Sequence, residues 1–171
     1  MGKHRGFQME YSGYFFGMRR SHPLPSYDGF IIIELSERPV RYHIQPLFVG
    51  GATPQECHTM AMAACRIACR AADAIRGRYN VERFARSMTR PCMERLQVMQ
   101  ELLDTHMLSH PDMKARFCYL PTVPTFIEGM LVSNDTIEMT VLMTIGAEPL
   151  RVNLKFRYVG SRWMCSFADL G

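Results

Sequence analysis

The stretch IEMTVLMTIGAEPLRVNLKFRY, residues 137–158, decides the fold of this chain. Its apolar side chains stand at every second position in two runs, and Gly146-Ala147-Glu148-Pro149 separates the runs. A period of two is typical of a strand with one buried and one wet face, and glycine and proline favour a turn. The stretch therefore predicts an antiparallel hairpin whose apolar face needs a covering layer.

Three helices upstream are predicted to form that layer. Thr53-Pro54-Gln55-Glu56 supplies an N-cap threonine, a proline at the first helical position and the glutamate of a capping box. The predicted helices cover residues 53–78, 80–88 and 90–108, and the predicted strands after them cover residues 115–120, 126–132, 137–145, 150–158 and 162–168. The sequence thus predicts an α+β fold in which three N-terminal helices pack on a curved antiparallel meander sheet.

The length of the chain fits one core with an N-terminal extension. It has 171 residues, of which 47% are hydrophobic, enough for a single domain core. Residues 1–50 are predicted to be a partly flexible extension with strands at 30–35 and 40–44, and residues 51–171 to be the α+β domain. Residues 1–29 combine basic, glycine and aromatic residues without periodicity, which indicates a flexible or partner-dependent tail.

The cysteines and the apolar stretches indicate in which cellular compartment the protein is expected. Six cysteines lie within apolar helix and strand patterns, and no pair has Cys-x-x-Cys spacing. This favours reduced thiols and a cytoplasmic location over a disulfide framework. The longest stretch without Asp, Glu, Lys or Arg, residues 42–55, contains two prolines and two glycines, so no transmembrane helix is predicted. No secretory signal is expected, because the N-terminal residues lack an uninterrupted apolar region.

The predicted order of elements carries a resemblance. Three helices and then a long antiparallel meander that curls around one apolar face resemble the cone-shaped NTF2-like superfamily. This resemblance implies an α+β cone, and proteins of this shape sometimes become enzymes by placing a carboxylate or a histidine inside the cavity.

The segment from about residue 71 to the C-terminus carries a second resemblance. It is similar to a small actinobacterial family, rich in alanine and arginine, with no established activity. The matching motifs are Gly77-Arg78 between two helices, Arg162-Trp163-Met164-Cys165, and the terminal Leu170-Gly171. The chain departs from the family pattern at Tyr79-Asn80 and at Arg83. In several actinobacteria, genes of this family lie beside that of the preprotein translocase ATPase, so the resemblance implies a link to protein translocation.

Positive charge is concentrated in the predicted helices. Between Arg66 and Arg95 there are eight arginines and three acidic residues, whereas the net charge of the whole chain is only +4. Such a surface can bind an acidic protein or nucleic-acid phosphates. Arginine also outnumbers lysine by 17 to 3 in the whole chain. The arginines are therefore also consistent with a general composition bias, and a solvated helical face without a binding role is an alternative interpretation.

We expect a non-catalytic accessory module that binds a protein through this surface, and the preprotein translocase ATPase is the partner that the resemblance suggests. Nucleic-acid binding is an alternative, and homo-oligomerisation is left open. The candidate partner-binding residues are Arg66, Arg70, Arg78, Arg83, Arg86 and Arg90.

A small apolar ligand is the other alternative. Fourteen methionines, many on apolar stripes, would make an interior cavity adaptable. The candidate cavity residues are Met139, Met143, Phe156, Tyr158 and Trp163.

Catalytic chemistry is not predicted. The inward strand positions are apolar or aromatic, and no histidine comes after His110. Glu128 and Tyr158 are the polar groups expected near the cavity, and an edge-of-sheet position is favoured for Glu128. No catalytic residue and no cofactor is therefore assigned.

Metal binding is not predicted either. His58, Cys65 and Cys69 share a helical face. At about 1.5 Å of rise per residue, His58 lies about 10 Å from Cys65, too far for both to bind one ion. His106 and His110 are expected at a solvated helix end.

Overall fold

The computed structural model describes residues 24–34 and 36–171, and the described residues form a six-stranded sheet with a layer of helices. The elements in chain order are β1 (Tyr27–Ile31), β2 (Val40–Pro46), α1 (Pro54–Ile75), a short 3-10 helix (Val81–Phe84), α2 (Arg90–Leu108), α3 (Pro111–Cys118), β3 (Thr122–Ser133), β4 (Thr136–Ile145), β5 (Glu148–Val159) and β6 (Arg162–Leu170). The strands lie side by side in this same order. The α+β class is confirmed.

The predicted hairpin is the centre of the sheet. β4 pairs with β5 in antiparallel register, with Val141 opposite Val152, and burial alternates along β4. β3 and β6 pair antiparallel on the two sides of this hairpin. The strands β3 to β6 therefore form an antiparallel meander, as the alternating pattern predicted.

The placement of all helices before the sheet is wrong. β1 and β2 precede α1 and pair as an antiparallel hairpin, and β2 pairs with β3 in parallel, so the sheet is not wholly antiparallel. The physical reason is the long connection through the helices, which carries the chain across one face of the sheet and returns it in the same direction. Strands had been predicted at 30–35 and 40–44; the observed bounds are Tyr27–Ile31 and Val40–Pro46.

Two local predictions are also corrected. Residues 115–120 were predicted as a strand, but most of them belong to α3, which begins at Pro111. Proline is favoured at the first helical position, and this start overrides a short apolar run that carries no period-two pattern. The predicted helix 80–88 is only the 3-10 helix Val81–Phe84 and the turns after it. The helices predicted at 53–78 and 90–108 are confirmed within a few residues.

The core lies between the sheet and α1. Helix α1 begins with the predicted capping box, in which Thr53 and Glu56 exchange hydrogen bonds. Its buried face is rich in alanine, with Ala64, Ala68 and Ala71 fully covered, so the helix lies close to the strands. The outer edge of β6 is covered in part, because Cys165 bonds through its backbone to Ser87 and Thr89.

Two further sequence predictions concern the N-terminal tail and the membrane. The predicted tail, residues 1–29, falls mostly on residues 1–23, which lie outside the described residues. Among the helices of the described ranges, none is long and apolar enough to cross a bilayer.

Candidate functional site

A groove runs between α1 and the strand ends of β1 and β3, and three of the predicted partner-binding arginines line it. We call it the arginine groove; it has a volume of about 310 Å³. Its lining residues are Ile31, Ile32, Ile33, Met62, Cys65, Arg66, Cys69, Arg70, Asp73, Arg78, Pro121, Thr122 and Pro124. The groove thus combines cationic, apolar and thiol side chains.

Helical spacing and one glycine bring the three arginines together. Arg66 and Arg70 are one turn apart on α1 and therefore share a face. Gly77 ends the helix with a φ of 73°, a left-handed conformation that glycine adopts without strain. This turn places Arg78 so that its guanidinium donates to the Leu120 carbonyl oxygen at 2.9 Å.

The wall of the groove is fixed by Arg76, whose side chain is fully buried. Its five N–H groups donate to five oxygens, those of Ala72, Phe117 and Leu120 on the backbone and of Asp73 and Thr122 on side chains. These bonds join the end of α1 to α3 and to the start of β3. Arginine has five N–H donors in a rigid fork, so every donor of Arg76 is used.

The charge of the groove is not neutralised by its own residues. Asp73, the carboxylate that lines it, is bonded to Arg76. Within residues 24–34 and 36–171, no carboxylate forms an ion pair with Arg66, Arg70 or Arg78. The groove therefore presents three cationic side chains next to apolar surface, which includes Ile32, 88% exposed, and Met62, 38% exposed.

Arg83 joins this site through an aromatic ring. The guanidinium carbons of Arg70 and Arg83 lie 5.6 and 5.2 Å from the centre of the Tyr79 ring. Both distances fall within the range of cation–π contacts. Tyr79 thus holds two of the predicted arginines on one surface.

The other two predicted residues stand apart. Arg90 pairs with Glu94 at 3.1 Å, and it lines a different groove that also contains Glu82. Arg86 is exposed on the turns after the 3-10 helix and lines neither groove. The six predicted residues therefore divide into four near Tyr79 and α1 and two outside this site.

Two thiols lie in the arginine groove one helical turn apart. Cys65 is 5% exposed and Cys69 is half-buried. The neighbouring Cys69 thiol lowers the pKa of Cys65, burial opposes this shift, and the charge of Arg66 lowers the pKa further. The neighbouring Cys65 sulfur and burial raise the pKa of Cys69. By contrast, burial raises the pKa of Cys57 on the same helix to about 11.

The predicted ligand-cavity residues do not line one cavity. Met139, Met143 and Phe156 are at most 2% exposed and belong to the core side of the sheet. Tyr158 and Trp163 stack edge-to-face at 5.4 Å and line a small groove of about 190 Å³ beside α1. Pockets that bind drug-sized ligands have volumes of about 300 to 1,000 Å³, so this groove is small for that task.

The histidines that were weighed as metal ligands have other contacts. His58 Nδ1 lies 3.3 Å from the hydroxyl oxygen of Tyr42. The Tyr42 ring lies directly over Gly29, where any larger residue would clash with it. The rings of His106 and His110 stack at 4.3 Å on the surface near the end of α2. Across the described part of the chain, no three His, Cys, Asp or Glu side chains are grouped so as to hold a metal ion.

A second groove, which the sequence did not predict, lies on the sheet face opposite the helices. It has a volume of about 640 Å³, and His43 and Glu128 line it. Register places Asp28 opposite His43 and His43 opposite Glu128 on three adjacent strands. The parallel pairing of β2 with β3 creates this row, and no local pattern signals such a pairing.

The row contains one oriented imidazole. His43 Nδ1 lies 3.1 Å from the Asp28 carboxylate, and this contact is the largest cause of the lowered pKa of Asp28. A carboxylate at Nδ1 is the arrangement that orients a general base. Among the hydrogen bonds of the described residues, however, none joins His43 to Glu128.

Family models, curated proteins and solved structures were all compared with this chain, and none gives a significant match.

Proposed function

We propose that this chain is a non-catalytic protein-interaction module and that the arginine groove binds an acidic segment of a protein partner. The observation that carries the proposal is the charge of the groove. Arg66, Arg70 and Arg78 line the groove, while Asp73, the carboxylate that lines it with them, is engaged by Arg76. A segment that carries carboxylates would supply the missing counter-charges.

The apolar lining favours a protein segment over nucleic acid. Ile32 and Met62 expose apolar surface beside the arginines, and a peptide with alternating acidic and apolar residues would contact both. Nucleic acid is recognised through a track of phosphate contacts, and single strands also need aromatic rings on which bases stack. Tyr79, the aromatic ring among these arginines, already contacts Arg70 and Arg83.

The partner and the location are proposed on sequence grounds. The first partner to test is the preprotein translocase ATPase, which the resemblance suggests, and the spacing of the six cysteines within apolar patterns supports a cytoplasmic location. An NTF2-like cone is proposed for the helix layer and the six-stranded sheet.

A direct binding measurement tests the groove. The probe is a fluorescent peptide of alternating glutamate and leucine, and its lysine–leucine counterpart is the charge control. We expect the acidic peptide to bind, and the double change Arg66→Glu and Arg70→Glu to raise Kd at least tenfold, which corresponds to about 1.4 kcal/mol. Binding should also weaken with salt, because exposed charges are screened.

The matched control is Arg90→Glu, which reverses an exposed arginine outside the groove. This variant should bind the acidic peptide as the parent chain does. Equal weakening by Arg90→Glu, or an unchanged Kd after the double reversal, would show that the groove is not the binding site. A single-stranded oligonucleotide that displaces the peptide at low concentration would assign the groove to nucleic acid instead.

The partner is then sought by capture from a native lysate treated with nuclease. The translocase ATPase is expected in the parent sample and not in the sample made with Arg66→Glu and Arg70→Glu. If the ATPase is captured in equal amounts in both samples, it does not bind through the groove.

A further inference from the structure

We infer that the acidic partner segment binds as an extended strand in an opening of the sheet, between residues 32–33 and residues 121–124, that we call the strand gap. This inference rests on the proposed function, and it adds the conformation of the partner segment and the spacing of its acidic residues. Its basis is the register of β1, β2 and β3 together with the direction of α1.

The strand gap is about one strand wide. β2 begins at Val40, which pairs with Ile31 of β1, and Arg41 of β2 pairs with Phe126 of β3. Residues 32–33 and residues 121–124 therefore lie past the start of β2, and both segments line the arginine groove. Neighbouring strands are about 4.7 to 4.9 Å apart, so the two strands beside β2 are about 9.4 to 9.8 Å apart. Past the start of β2, this distance leaves room for one extended chain.

The start of β3 offers an edge for pairing. Thr122, Val123 and Pro124 pair with β4 on one side. On the other side no strand within the described ranges pairs with them, because the pairing of β3 with β2 begins at Phe126. Such an edge binds an extended segment through main-chain hydrogen bonds. Pro121 and Pro124 have no N–H, so this edge has more acceptors than donors, and the N–H groups of the incoming segment are the donors that it needs.

Helix α1 runs along β3 in the opposite direction. Gly51, just before α1, lies beside Leu131 near the end of β3. At the other end of the helix, Arg76 donates to the Thr122 hydroxyl at the start of β3. The axis of α1 therefore follows the line that a segment in the strand gap would take.

This direction matches the spacing of two arginines to that of a strand. Arg66 and Arg70 are exposed on α1 and line the groove, and four residues of helix correspond to about 6 Å along the axis. Alternate side chains on one face of a strand are about 6.6 to 6.8 Å apart. Two acidic residues separated by one other residue would therefore contact both guanidiniums. A helical segment, about 10 to 12 Å across with its side chains, is too wide for the strand gap.

The experiment compares modified forms of the alternating glutamate–leucine peptide in fluorescence polarisation with the full-length chain. Two forms carry N-methyl groups, one on all leucines and the other on all glutamates, which removes N–H donors but keeps the side chains and the charge. The third form is a stapled helix with the same number of glutamates, placed at every fourth position. We expect the stapled helix and at least one N-methylated form to bind about tenfold or more weakly than the unmodified peptide.

Two matched variants of the chain locate the segment. Ile32 and Val49 are 88% and 87% exposed, and Val49 lies outside the arginine groove. Ile32→Ser should raise Kd about threefold, because the leucines of the peptide lose an apolar contact beside the strand gap. Val49→Ser should leave Kd unchanged, and circular dichroism checks that both variants are folded.

The outcomes separate this inference from the proposed function. If the unmodified peptide binds and the stapled helix and both N-methylated forms bind equally well, the extended conformation is overturned and the acidic groove is retained. If the acidic peptide does not bind at all, both proposals are overturned. If Val49→Ser weakens binding as much as Ile32→Ser, the segment lies outside the strand gap and the inference is wrong.

Discussion

The buried guanidinium of Arg76 gives the sharpest stability prediction. In the change Arg76→Met the side-chain length is nearly kept, but all five donors are lost, so the carbonyl oxygens of Phe117 and Leu120 and the hydroxyl of Thr122 lose a partner. Hydrogen bonds to a charged group contribute about 1.5 to 3 kcal/mol each, but they are not additive. Asp73 is also 34% exposed, so water can replace part of its lost contact.

The expected loss is therefore that of breaking one buried charged network, about 3 to 5 kcal/mol. Since domains of this size unfold with about 5 to 15 kcal/mol, the variant should lose about a fifth or more of its stability. Urea unfolding monitored by circular dichroism measures this loss, provided that the transition stays two-state.

The control is Arg78→Met, because Arg78 is exposed and donates one bond to the same Leu120 carbonyl. It should cost less than about 1 kcal/mol. The variant Arg76→Lys keeps the positive charge but not the five donors of the planar guanidinium. It should therefore recover only a small part of the unfolding free energy that Arg76→Met loses. The reasoning would be refuted if Arg76→Met and Arg78→Met were equally stable.

Three further outcomes are expected. Thr53→Ala removes the N-cap of α1 and should lower the free energy of unfolding by about 1 kcal/mol, measured by urea titration; an unchanged midpoint would contradict the cap. The hydrogen bonds from Thr53 hold the pKa of Glu56 below its ordinary value of 4.5. The stabilisation that the Glu56 carboxylate gives to the folded state is therefore fully present above pH 4.5 and is lost as the pH falls through the lowered pKa. Glu56→Gln should therefore be less stable than the parent at neutral pH but not at strongly acidic pH, and a constant difference across the pH series would argue against the capping box. Gly129→Val should cost about 1 to 3 kcal/mol, because a Cβ there would lie 2.9 Å from Ile44 and 3.2 Å from Met139, and a thermal midpoint equal to the parent's would show that this contact relaxes freely.

Local patterns predicted the parts of the fold that local forces determine. The alternation in residues 137–158 and the cap at Thr53 each define an element within a few residues, and both are confirmed. The parallel pairing of β2 with β3 joins residues such as Arg41 and Phe126, far apart along the chain, and nothing in either strand's own sequence encodes it. The same limit explains why the helices were placed before the whole sheet.

The site was predictable to a similar degree. Arg66 and Arg70 share a helical face by spacing alone, but the approach of Arg78 depends on the turn at Gly77 and on the segment that carries Leu120. The proximity of His43 to Glu128 results from the parallel pairing and was therefore invisible in the sequence. The number of charges in the sequence also does not distinguish Arg90, which forms an ion pair with Glu94, from arginines that form no ion pair among the described residues.

The parallel pairing of β2 with β3 has a consequence during synthesis on the ribosome. β2 ends at residue 46 and β3 begins at residue 122, so 122 − 46 = 76 residues must be translated before the two strands can meet. At about 5 to 20 residues per second this takes about 4 to 15 s. Throughout that interval the nascent chain carries a strand with one open edge, and chaperones that recognise such edges have seconds in which to bind it before the sheet closes.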